Sequence, residues 1–170
     1  MKKTTILLLL LSLQAFSQKL IKDEVDEFTG KKLKRTDWLT LDTGFMEMEV
    51  RYSLVKVDST YAVNIKILDP KVYHSISKGN ELMFKLANGE IIQMHCDNSA
   101  TSCIGCGSTG FIGSKALGLT LYFPFTDEQF EALKQSPVSK IRLYLNDGYK
   151  EIVVTEKRSK KFTETLNLLD

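Results

Sequence analysis

The chain has 170 residues, with 23 Lys and Arg against 21 Asp and Glu and a formal charge of +2. So even a balance speaks against nucleic-acid binding, which rests on a basic excess or a basic face. The length suits one domain with a substantial core, so disulfides are not demanded by size.

The first residues have the layout of a cleavable secretory signal. Lys2 and Lys3 form a basic n-region, Ile6 to Leu13 an apolar run, and Ala15-Phe16-Ser17 places small residues before Gln18. The apolar run is shorter than the roughly 20 residues of a membrane-spanning helix, so no span is expected in the mature chain. The expected organisation is a signal over residues 1–17 and a single β-rich domain over 18–170, periplasmic or secreted. Loss of Lys2 and Lys3 leaves 21 cations against 21 anions. The basic clusters Lys31–Arg35 and Lys157–Lys161 then read as solvated faces.

Past the signal, Val25 to Arg35 suggests two short strands around a turn at Thr29-Gly30, leading to Trp38. Met46, Met48, Val50, Tyr52 and Leu54 alternate with polar residues, which predicts a strand with one wet face. A turn at Asp58-Ser59-Thr60 leads to an answering strand through Tyr61, Val63, Ile65 and Ile67, and Asp69-Pro70 stops it.

A second hairpin spans Leu82 to Cys96 around Asn88-Gly89. A three-residue loop with Gly89 in the left-handed region pairs Phe84 with Ile92 and Leu82 with Met94. Only that register keeps one face wholly apolar, since a one-residue slip inverts a strand. It sends Cys96 to the core side and His95 outward.

His95 to Gly118 is a long glycine-rich loop holding all three cysteines and five of the ten glycines. Long loops in compact domains are functional or locally stapled. Beyond it, Leu117, Leu119, Leu121 and Phe123 alternate as a strand. Thr126-Asp-Glu-Gln129 is a capping box with a Phe125–Phe130 staple, predicting a helix from Asp127 to about Gln135 before Pro137. A strand through Ile141, Leu143 and Leu145 follows. A two-residue Asp147-Gly148 turn would set Leu143 against Ile152 and Ile141 against Val154. Phe162, Leu166 and Leu169 sit at helical spacing. The fold class is α+β and mostly β: an antiparallel, hairpin-rich sheet or sandwich with two short helices in the C-terminal third. The segment from Leu117 to Leu145 could alternatively be a parallel crossover.

Three strings, Val25-Asp-Glu-Phe-Thr-Gly-Lys31, Ser77-Lys-Gly-Asn-Glu-Leu-Met-Phe-Lys-Leu-Ala-Asn-Gly89 and Asp147-Gly-Tyr-Lys-Glu-Ile-Val-Val154, together with the Ala-Phe-Ser-Gln signal end, resemble uncharacterised secreted proteins of the Bacteroidota. The resemblance covers most of the mature chain and implies a periplasmic or extracellular protein. Its motifs are turns and strands, so it implies no catalytic residue. The three-cysteine loop departs from that pattern.

Gly105-Cys-Gly-Ser-Thr-Gly110 matches G-x-G-x-x-G, but a strand rather than a helix is expected after it, which argues against a dinucleotide site. Cys103-Ile-Gly-Cys106 is a C-x-x-C without the helix that activates a redox thiol. The expected pairing is a Cys96–Cys106 disulfide with Cys103 free, tying the loop to the strand end and contributing about 2.5–3 kcal/mol. The alternative is zinc on Cys96, Cys103 and Cys106; His95, adjacent to Cys96 on a strand, points to the opposite face. His74, beside Ser75 and Ser77, reads as a surface or turn histidine, with no nucleophile elbow in the chain. Tyr122, Tyr144 and Tyr149 lie opposite the leucine rows, as an aromatic platform or the lining of a second packed sheet. Trp38 decides nothing alone. With no catalytic constellation visible, the expectation is a non-enzymatic binding or envelope-interaction domain of unknown ligand or protein partner. A cysteine-centred redox or metal protein is the alternative.

Overall fold

The structure, a computed structural model, describes residues 19–43, 47–106 and 117–170. The expected signal at 1–17, Met46, and the part of the glycine-rich loop from 107 to 116 lie outside the described residues. Thirteen strands are described: β1 (Leu20–Val25), β2 (Lys32–Thr36), β3 (Leu39–Asp42), β4 (Glu49–Val57), β5 (Thr60–Asp69), β6 (Ser75–Ile76), β7 (Glu81–Leu86), β8 (Ile91–His95), β9 (Ala100–Thr101), β10 (Cys103–Ile104), β11 (Leu117–Phe125), β12 (Val138–Leu145) and β13 (Gly148–Val153). Helix α1 (Asp127–Gln135) separates β11 from β12, and α2 (Glu156–Leu166) closes the chain with a 3-10 turn at Asn167–Leu169.

All pairings among the described residues are antiparallel. A large sheet runs β1-β2-β4-β5-β11-β10 with β3 also on β4, a four-stranded sheet runs β13-β12-β7-β8, and β6 pairs β9. The fold is therefore α+β and mostly β, as the alternating pattern predicts. The inner faces of both sheets supply one continuous core, including Tyr52, Leu54, Ile65, Leu121 and Phe123 from the large sheet and Phe84, Ile92, Ile141 and Leu143 from the smaller. Helix α2 joins them, because the Phe162 ring packs on Tyr52 at 5.1 Å and on Phe84 at 5.5 Å. Among the described residues no helix is long and apolar enough to cross a membrane.

The β7–β8 register follows the hydrophobic pattern, with Phe84 opposite Ile92 and Leu82 opposite Met94. Gly89 takes φ +91°, the left-handed position that this loop requires. Helix α1 starts on the capping box, in which Thr126 Oγ1 accepts from Gln129 N at 3.3 Å and Gln129 Oε1 accepts from Thr126 N at 3.0 Å. Phe125 and Phe130 stack at 6.4 Å, and Tyr61 lies on Phe130 at 4.1 Å.

Three expectations are corrected. The β12–β13 turn is Asn146-Asp147, so Ile141 opposes Ile152 and Leu143 opposes Lys150. Long-range bonds select this turn: Asn146 N donates to Ser75 O at 2.9 Å, and the Asn80 amide donates to Asn146 Oδ1 at 3.2 Å. Because the pairing moves by two residues, the same side chains still face the core. Second, β11 and β12 do not pair at all, since α1 carries the chain from one sheet to the other. Third, the outer face of β4 and β5 is not simply wet. Ser53, Val55, Ala62 and Lys66 are buried, and the Thr36–Trp38 corner explains part of this. Ser53 Oγ donates to Thr36 O, Leu54 N donates to Thr36 Oγ1, and the Trp38 ring lies 4.4 Å from Lys66 Nζ.

Candidate functional site

The cysteine loop begins where β8 ends. Cys96 is buried on the core side, as the register requires, and its thiol donates to Asn98 O at 3.2 Å. The loop is tied to the large sheet by hydrogen bonds rather than by a crosslink. Asp97 N donates to Tyr122 O at 2.9 Å, and Asn98 Oδ1 accepts from Tyr122 N at 2.9 Å. Further on, β9 pairs with β6 and β10 pairs with the start of β11.

The disulfide joins Cys103 to Cys106, with Cα atoms 5.3 Å apart, and Cys96 is free. This corrects the Cys96–Cys106 expectation, and the register gives the reason. Cys103 lies opposite Gly118, which lies opposite Leu68, whereas the core of that sheet is lined by the alternate residues Ile67 and Leu119. Its side chain therefore belongs to the outer face, away from Cys96. Gly105 at φ +77° turns the chain back, and Cys106 N donates to Cys103 O at 3.2 Å. The same divergence leaves Cys96, Cys103 and Cys106 unable to act as one zinc ligand set. Among the described residues no group of three His, Cys, Asp or Glu is placed to hold a metal ion. Of the G-x-G-x-x-G stretch only Gly105 and Cys106 are described.

His74 is not a surface residue. It is 7% exposed, with Nε2 3.0 Å from Asp69 Oδ2 and Nδ1 3.4 Å from Asp147 Oδ2, the second without hydrogen-bond alignment. Its backbone N donates to Ser102 Oγ, and its carbonyl accepts from Ser102 N. Burial works to raise the Asp69 pKa, but hydrogen bonds from His74 and from the amides of Lys71 and Val72 outweigh it and hold the carboxyl below its usual range. Both ring nitrogens face carboxylates, and among the described residues neither histidine ring is bonded to a serine hydroxyl. A triad needs one nitrogen on the nucleophile. His95 is exposed, with Nδ1 3.2 Å from Gly79 O.

The three tyrosines divide. Tyr122 lies on the large sheet, half-buried beside Asp97, where burial and then that carboxylate push its hydroxyl pKa up. Tyr144 and Tyr149 oppose each other on the four-stranded sheet, ring centres 5.8 Å apart and tilted by 51°. No further described sheet covers them. Ile91, Tyr149 and Val153 are 60%, 60% and 65% exposed. Arg142 stacks on Tyr149 at 4.7 Å and reaches Glu151 at 2.7 Å, while Lys140 reaches the same carboxylate at 3.0 Å. The Arg142 guanidinium holds the Glu151 carboxyl below its usual range, with Lys140 adding to it. Lys85 lies directly opposite Lys140 on the neighbouring strand.

No protein-family model, curated protein or solved structure matches the chain.

The face just described was half legible. The tyrosines were visible from their parity, but the Lys85–Lys140 pairing was not, because the β7–β12 contact joins segments more than fifty residues apart. The one available signal was charge on the wet face of each strand, which most solvated strands share.

Proposed function

We propose that this protein is a non-enzymatic binding domain of the periplasm or the extracellular space. It engages an acidic, partly apolar segment of a protein partner on the outer face of β13-β12-β7-β8. The carrying observation is the uncovered face itself. Lys140 and Arg142 both reach the Glu151 carboxylate, Lys85 lies opposite Lys140 on the neighbouring strand, and Ile91, Val153 and Tyr149 stand exposed around them. Like charges directly opposite on a sheet are unfavourable, and an incoming carboxylate relieves them. Exposed apolar patches with a polar rim mark interaction surfaces.

The test is a two-dimensional NMR titration of the mature chain with a short alternating Glu-Leu peptide and, separately, with a neutral gluco-oligosaccharide. The expected result is peptide-dependent shifts confined to β7, β8, β12 and β13, removed by a Lys85→Glu, Lys140→Glu double variant. Shifts with the sugar alone, or none with the peptide, would refute the reading.

A second reading keeps a cysteine-centred redox role. It is supported by the exposure of Cys103, on β10, and of Cys106, in the turn just after that strand. A thiolate would attack one sulfur, the other would leave as thiolate, and a second thiol would release the mixed disulfide. Exchange with glutathione under native conditions, monitored by mass, decides it. Resistance to reduction until the protein unfolds would dismiss it.

A further inference from the structure

The outer face of the large sheet holds a lysine that no acidic side chain among the described residues pairs with. Lys66, in the middle of β5, is 8% exposed. Lysines are almost never so buried unless paired. The close partner of its ammonium group is the Trp38 ring, 4.4 Å from Nζ to the ring centre. All 21 Asp and Glu of the chain lie among the described residues, and none of them forms an ion pair with Lys66.

The cross-strand neighbours sharpen the point. Arg51 on β4 lies directly opposite Lys66, Thr40 on β3 lies opposite Arg51, and Thr120 on β11 lies opposite Lys66. Directly opposed residues share a face, so Thr40, Arg51, Lys66 and Thr120 form one row across four strands. Arg51 Nε is 2.6 Å from Glu49 Oε1, two residues along β4 and opposite Leu68, so that carboxylate pairs with Arg51 and not with Lys66. Two cations stand side by side, flanked by two hydroxyls, with an indole against one of them.

We propose that Lys66, Arg51 and Thr120, beside the wall formed by Trp38, bind a small-molecule oxyanion, a carboxylate or a phosphate. A desolvated cation beside a like charge is unfavourable, and an oxyanion reverses both costs at once while accepting hydrogen bonds from ammonium, guanidinium and hydroxyl. The direction of the Lys66 pKa agrees: burial lowers it, and Arg51 lowers it further. The site lies on the large sheet, independent of the four-stranded face.

Trp38 is the chain's single tryptophan, so its emission reports on this site alone. The experiment is a fluorescence titration with sodium phosphate and, in a second arm, sodium acetate, each against sodium chloride at matched ionic strength. The expected result is a saturable change in Trp38 emission with half-saturation below about 10 mM in at least one arm. Whichever anion saturates at the lower concentration identifies the ligand class. Lys66→Met should weaken the effect about tenfold or more, while Lys85→Met, on the other sheet, leaves it unchanged. Should Lys66→Met fail to fold, Thr120→Val at an exposed position still tests the site and should weaken saturation several-fold. Changes no larger than those with chloride in both arms, or a curve that neither Lys66→Met nor Thr120→Val alters, would overturn the proposal.

Discussion

His74 Nε2 lies 3.0 Å from Asp69 Oδ2, so the residue that ends β5 is bonded to the ring five positions later. The other oxygen of the same carboxylate accepts from Lys71 N at 2.8 Å and from Val72 N at 2.9 Å. One carboxylate therefore both forms the turn after Pro70 and orients the histidine. His74 in turn meets Asp147 of the β12–β13 turn, so the cluster links the end of one sheet to a hairpin of the other.

The first prediction follows from that carboxylate. The folded-state pKa of Asp69 is depressed, so its contribution is present above the ordinary carboxyl value of 3.8 and is lost as pH falls below it. Asp69→Asn should lower stability by about 1.5–3 kcal/mol near neutral pH. Urea denaturation of both proteins should show the gap closing as pH falls below the ordinary carboxyl value and the wild-type carboxyl takes up its proton. A gap independent of pH would contradict the assignment.

Gly89 supports the second. Its φ of +91° is strained for any side chain, yet a Cβ there would meet nothing within 4 Å. The cost of Gly89→Ala is thus a backbone cost, about 1–2 kcal/mol, with no rearrangement of neighbours. Gly89→Asn should cost less, because asparagine tolerates the left-handed region. Denaturation midpoints of the two variants give the comparison, and equal losses would count against it.

Those two sites also mark what the sequence could and could not convey. Gly89 was readable because the hairpin is local: the alternation of Leu82, Phe84, Ile92 and Met94 admits one register. Asp69–His74 spans only five residues, yet it was missed, since a histidine between a tyrosine and a serine carries no sign of burial. The β12–β13 turn misled for a different reason. Asp147-Gly148 has the stronger local turn propensity, but contacts from Ser75 and Asn80, both remote in sequence, hold Asn146 in the turn. The Cys96–Cys106 pairing failed on the assumption that only a crosslink could tie the loop down, whereas the β9 and β10 ladders and Asn98 do so.

Phe162 yields the third prediction. Its ring is buried between Tyr52 of one sheet and Phe84 of the other. Phe162→Ala should cost about 3–5 kcal/mol, since truncation loses apolar burial and leaves a cavity that neither sheet can close alone. Phe162→Leu retains most of the volume and should cost less than half as much. Chemical denaturation distinguishes this from a peripheral helix, for which both substitutions would cost little.

The last prediction concerns the cysteines. The Cys103–Cys106 bond closes a four-residue ring across a turn already held by Gly105 and by Cys106 N donating to Cys103 O. On the chain-entropy account so small a ring contributes about 2 kcal/mol, and those local bonds reduce what the crosslink adds. Reduction should therefore lower stability by no more than that and leave the fold intact, because β10 stays paired with β11 through its backbone. Cys96 behaves in the opposite way: its thiol is free but buried, and accessible only when the surrounding core opens. Thiol counting on the unreduced protein should find none reactive in the native state and one per chain in denaturant, mapped to Cys96. A native count of one would place Cys96 at the surface, and a denatured count of three would remove the disulfide. A bridge mapped to Cys96 would restore the pairing that the opposed faces of Cys96 and Cys103 argue against.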